Sequence, residues 1–85
     1  MKEVRYIITD EIGIHARPAG LLVKTISQYD CNVTIKKGAK EGNARSIIGI
    51  MTLGVKKGDE VTFLVEGIDE AEASEQLRVF LNENL

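Results

Sequence analysis

Apolar side chains recur at every second position in three separate stretches, Val4-Tyr6-Ile8, Cys31-Val33-Ile35 and Val61-Phe63-Val65. Successive side chains of a strand point to opposite faces, so each stretch reads as a strand with one face in a core. The β-branched and aromatic residues that fill them favour the same assignment. Lys36-Lys37-Gly38-Ala39-Lys40 reads as a turn leading into a short fourth strand near residues 40–44.

Between these stretches the period changes to that of a helix. Ala19, Leu22, Val23 and Ile26 share one helical face and predict a helix from Pro18 to Gln28. Pro18 suits the first turn, where its missing N–H is not needed. Gly20 costs this helix about 1 kcal/mol relative to Ala, which predicts close approach of another backbone at that point, from this chain or from a partner. A second helix is predicted over 70–83, with Ala73, Leu77, Phe80 and Leu81 on one face and Asp69 and Glu72 as a capping-box-like start. A short helix is predicted from Ser46 to Leu53, with Ser46 as N-cap and Gly54 as stop. The order β-α-β-β-α-β-α predicts an α+β two-layer sandwich, one sheet with its helices on one face. At 85 residues the chain fits a single domain, residues 1–85, whose core is small, so function is expected on the surface.

Composition removes several function classes. Formal net charge is −2, from 11 Lys+Arg and 13 Asp+Glu, which argues against a nucleic-acid partner. Cys31 is the sole cysteine, so no internal disulfide forms, and its alternating apolar setting predicts a buried small hydrophobe. One His and one Cys cannot assemble a zinc site of the usual N/S type. The acidic run Glu66, Asp69, Glu70, Glu72 and Glu75 lacks calcium-loop spacing and suits a helix N-terminus. No Gly-rich phosphate loop is present, so neither a cofactor nor a nucleotide is expected. Glu3 and Arg5 interrupt any apolar leader, and Ile47 to Val55 is too short to span a bilayer. A cytoplasmic protein, not inserted in a membrane, is the expectation.

The informative chemistry lies in Gly13-Ile14-His15-Ala16-Arg17-Pro18-Ala19. The only histidine stands immediately before a helix whose start is marked by proline. Such a helix end presents unpaired N–H groups and about half a positive charge, a ready anion site. Neutral imidazole is the form that acts as a nucleophile. Arg17 adds a planar, always-charged fork suited to phosphate oxygens. Phosphoryl transfer needs mainly positioning and charge stabilisation, which a small exposed site can supply.

The short helix is apolar nearly all round, and a domain this small cannot enclose it. Ile47, Ile48 and Met51 are therefore expected to face water as a partner site, extended by Leu21. Lys24 either pairs with an acidic partner face or is simply solvated.

The string around His15 resembles the active-site signature of HPr, the histidine-containing phosphocarrier of the bacterial phosphoenolpyruvate-dependent sugar phosphotransferase system. A second match, Ala44-Arg45-Ser46-Ile47-Ile48-Gly49-Ile50-Met51-Thr52-Leu53-Gly54, is similar to the segment around the regulatory serine of Gram-positive HPr. The resemblance covers essentially the whole chain. It implies an open-faced β-sandwich, a four-stranded antiparallel sheet covered on one face by three helices. It implies a carrier rather than an enzyme, acting as a monomer. His15 would accept phosphate from phosphorylated enzyme I and pass it to the IIA domains of sugar permeases, with Arg17 stabilising the phosphohistidine. Ser46 would be phosphorylated by HPr kinase/phosphorylase, giving a co-regulator for a catabolite-control transcriptional regulator. Arg45 stands where the family commonly has lysine. Gly42 falls where it usually has a larger residue, which implies a looser edge over Lys40–Asn43. Three other functions remain at this point: a purely regulatory HPr-like protein acting through Ser46, a carrier of a nitrogen-regulatory branch, and a binding module without covalent chemistry. The regulatory paralogues lack the histidine that is present here.

Overall fold

Lys2–Ile7 (β1), Asn32–Lys37 (β2), Lys40–Asn43 (β3) and Glu60–Glu66 (β4) form one antiparallel sheet in the computed structural model, which describes residues 1–85. The spatial order is β1-β4-β2-β3, with Val4 opposite Phe63, Ile35 opposite Phe63 on its other side, and Ile35 opposite Gly42. Helices Ala16–Ile26 (α1), Ile47–Met51 (α2) and Glu70–Asn84 (α3) complete the order β-α-β-β-α-β-α. This is the two-layer α+β arrangement that the alternating periods predict, with the open-faced, four-stranded antiparallel sheet that the resemblance implies.

The alternation in each strand sends Val4, Val33, Ile35, Val61, Phe63 and Val65 into the core. There they meet Leu22 and Ile26 of α1, Ile50 of α2, and Leu77 and Leu81 of α3. The opposite face of the sheet carries Glu3, Arg5, Lys36, Glu41 and Glu60, and no helix covers it. Arg5 pairs with Glu3 at 2.8 Å and Lys36 with Glu41 at 3.7 Å on that face. Cys31 is buried, as expected for a small hydrophobe, and burial pushes its thiol up from the ordinary value. No helix is long and apolar enough to cross a membrane.

Four local expectations change. The first helix begins at Ala16 rather than Pro18 and ends at Ile26 rather than Gln28. Pro18 still falls in the first turn, and the Ser27 hydroxyl ends the helix by bonding the Lys24 carbonyl at 2.9 Å. Asp69 is the N-cap residue of α3 but forms no side-chain cap. Its carboxylate instead accepts the Asp30 N–H at 2.7 Å, tying α3 to the α1–β2 connection, while Glu70 accepts the Gly67 N–H at 3.3 Å. No backbone of this chain approaches Gly20; its nearest neighbour is the Ile47 side chain, 3.9 Å from where a Cβ would stand. The β3 edge is tight rather than loose, because a Cβ on Gly42 would lie 2.7 Å from the Gly49 carbonyl oxygen. Glycine at 42 thus lets α2 seat directly on the edge strand.

Candidate functional site

The loop from Ile8 to His15 is built on Asp10. Its main-chain oxygen accepts the Gly13 N–H at 3.0 Å and its side chain accepts the Ile12 N–H at 2.9 Å. Short polar side chains favour such local bonds, which turn the chain sharply. Gly13 then takes φ +79°, a conformation that costs other residues strain. A Cβ at Gly13 would overlap the Val55 carbonyl oxygen and lie 2.7 Å from Lys56 Cα. Ile14 is buried, and its N–H donates to the same Val55 oxygen at 3.2 Å. The backbone entering His15 is therefore laid directly onto residues 55 and 56.

His15 is the N-cap residue of α1, with extended φ −110° and ψ −173°, and its carbonyl accepts the Ala19 N–H at 3.0 Å. Its ring is not used for capping and is half-buried. The N–H groups of Ala16 and Arg17 have no acceptor in the protein, and Pro18 has none to offer. The Arg17 side chain is exposed and forms no ion pair. Two open N–H groups, the positive end of an eleven-residue helix and an unpaired guanidinium lining the same cleft thus share the start of α1 with His15. This set fits a group with several anionic oxygens bonded to the ring.

A shallow cleft of about 400 Å³ opens here, lined by His15, Arg17, Pro18 and Leu21 on the α1 side. Asp10, Ile12 and Asn84 line the rest. These last three escaped sequence reasoning. Ile12, 68% exposed, left a signal as an apolar residue in a polar loop; Asn84, at the far end of the chain, left none.

Ser46 is the N-cap residue of α2, as expected, and its hydroxyl oxygen accepts the Gly49 N–H at 3.1 Å. The helix is shorter than expected, closing at Thr52 before Gly54. Its Ile50 faces the core, while Ile47, Ile48 and Met51 are exposed, Ile48 at 75%. The contact between Ile47 and Gly20 sets α2 beside α1, about 7.5 Å along the α1 axis from His15 at 1.5 Å per residue. Leu21 is exposed on α1 next to that contact. Lys24 stands exposed in the last turn of α1 with no ion pair. Arg45 is committed elsewhere, its guanidinium donating to the Cys31 carbonyl at 2.6 Å.

A family model described as the phosphorylation site of the PTS HPr component matches residues 2–83. Among solved structures, an HPr of Thermoanaerobacter tengcongensis is 43% identical, with TM-score 0.92, over 98% of this chain and 93% of that one. A mycoplasma histidine-containing phosphocarrier protein is 35% identical, with TM-score 0.92, over 96% and 93%. Crh, a catabolite repression protein of Bacillus subtilis, is 36% identical, with TM-score 0.79, over 100% and 98%.

Proposed function

The chain belongs to the HPr family of phosphocarrier proteins, and on that basis we propose that His15 accepts a phosphoryl group from phosphorylated enzyme I and passes it to the IIA domains of sugar permeases. The observation that carries this reading is the imidazole at the α1 N-terminus, beside two N–H groups without acceptors and the free Arg17 guanidinium. An imidazole nitrogen attacks phosphorus, a nitrogen–phosphorus bond forms, and the donor's bond to phosphorus breaks. The transferred group brings about two negative charges to a helix end that favours anions. Incubation with enzyme I and phosphoenolpyruvate should add the mass of one phosphate in acid-labile linkage. An unchanged mass rejects the reading.

Arg17 serves as the phosphate clamp. Charge-assisted hydrogen bonds contribute about 1.5–3 kcal/mol each, so Arg17→Ala should slow His15 phosphorylation on the order of 10- to 100-fold. Its exposure and lack of partners predict a stability change within about 0.5 kcal/mol. Stopped-flow or quench rates with enzyme I, beside a thermal melt, check both. A near-native rate would reduce Arg17 to a surface charge.

Ser46 is the regulatory phosphorylation site in this reading, modified by HPr kinase/phosphorylase, and the modified form serves a catabolite-control transcriptional regulator. A dianion at the first turn of α2 leaves the fold intact, since helix N-termini favour negative charge. It also stands beside Ile47, Ile48 and Met51, which with Leu21 and Lys24 form the partner-docking face. Desolvating that charge against an apolar or acidic partner is costly. Ser46→Asp should therefore raise the KM for enzyme I by a factor on the order of ten while shifting stability by less than about 1 kcal/mol. Steady-state phosphorylation at varied carrier concentration measures this; an unchanged KM, or a melting loss that accounts for the rate, rejects it.

A further inference from the structure

The cleft around His15 has two walls of different origin. One is α1 itself, through Arg17, Pro18 and Leu21; the other joins Asp10 of the β1–α1 loop to Asn84 in the last turn of α3. Three donors hold that second wall together on a single acceptor. The main-chain oxygen of Leu85 receives the Thr9 N–H at 2.6 Å, the Thr9 hydroxyl at 2.8 Å and the Asp10 N–H at 2.9 Å. Leu85 is itself fixed, with a buried side chain and its N–H bonded to the Leu81 oxygen at 2.9 Å. Thr9 is adjacent in sequence to one cleft-lining residue and Leu85 to the other, so the clamp ties these two parts of the cleft wall together. The far end of the same loop is fixed by Gly13 and Ile14 on Val55. Of the two anchors, only the Thr9 clamp contains a side-chain donor.

We propose that Thr9 is a positioning residue for phosphoryl transfer at His15, acting by clamping the end of α3 as one wall of the His15 cleft. The proposal rests on His15 being the phosphoryl acceptor. Thr9 does not reach the transferred group; it fixes where the backbone entering His15 lies and where Asp10 and Asn84 stand relative to it. Small displacements of a reacting group are costly in rate, so loosening the clamp acts on the transfer step more than on partner binding.

Two variants separate the hydroxyl from the rest of the side chain. Thr9→Val keeps the shape and loses the donor, whereas Thr9→Ser keeps the donor. With enzyme I and phosphoenolpyruvate, Thr9→Val should lower the kcat for His15 phosphorylation about threefold to tenfold, the effect of one hydrogen bond, with KM within about twofold. Thr9→Ser should match the wild type in both. Amide hydrogen exchange from Asp10 to Ile14 should accelerate in Thr9→Val only, and it reads the clamp with no phosphate present. A Thr9→Val kcat equal to wild type, or a Thr9→Ser variant as slow as Thr9→Val, overturns the proposal. So does a rate loss that vanishes once the unfolded fraction is subtracted. A wild-type protein that takes up no phosphate overturns the carrier reading instead, a result distinct from any of these.

Discussion

His15→Ala should take up no acid-labile phosphate from phosphoenolpyruvate and enzyme I, while remaining folded. The first part follows from chemistry, because the chain has no second imidazole to substitute for the first. The second follows from how α1 is capped. Its first hydrogen bond runs from the Ala19 N–H to the His15 main-chain oxygen, which alanine retains, and the imidazole makes no capping bond. Alanine is a poorer N-cap residue in general, but with no side-chain cap to lose the cost should stay below about 1 kcal/mol. Intact-protein mass after incubation reads the phosphate and a thermal melt reads the fold. Retained acid-labile label in the variant would place the acceptor elsewhere; a collapsed melt would mean the ring also supports the loop.

Gly13→Ala should be the most damaging single methyl that can be added near the site. Two costs add. The left-handed backbone conformation charges a Cβ about 1–2 kcal/mol, and the added atom is driven into the main chain of Val55 and Lys56. Neither neighbour can swing aside as a flexible side chain would, so overpacking adds about 1–3 kcal/mol. Relief requires lifting the loop, which breaks the Ile14 N–H bond to Val55 and displaces His15. A loss of about 2–5 kcal/mol, or roughly 10 °C or more in Tm for a domain of this size, is expected, with slow phosphorylation of the fraction that stays folded. Gly38→Ala is the control. Gly38 has φ +59° but open space around its Cβ position, so only the conformational cost applies. Equal losses in the two variants would show that the Val55 contact constrains nothing.

The sheet was legible because its one-sided burial imprints a strict alternation, and all three strong strands fall where Val4, Tyr6, Val33, Ile35, Val61, Phe63 and Val65 place them. The faces of the two longer helices were legible for the same reason. What the sequence conceals is how far-apart segments bond. Asp69 followed by Glu72 looks like a reciprocal cap, yet Asp69 spends its carboxylate on the Asp30 N–H, a partner thirty-nine positions away. Gly20 looks like a site of backbone contact, while the actual close approach is at Gly42, whose neighbour Gly49 no periodicity announces. At the candidate site, the residues read from sequence are local to His15 or Ser46. Asp10, Asn84 and the Leu85 acceptor join them only through the fold.

The pairing of β1 with β4, which sets Lys2 opposite Val65, has a consequence for the chain during its synthesis. β1 leaves the ribosome with no hydrogen-bonding partner until more than fifty further residues have been made. β2 and β3 can close as a local hairpin in the meantime, but closing a loop as long as that from β1 to β4 is entropically slow. The His15 loop, translated early, gains its floor only with Val55 and its second wall only with α3. A nascent chain therefore presents the signature residues long before it presents the site. The assembled site comes into being in one late step, not by degrees.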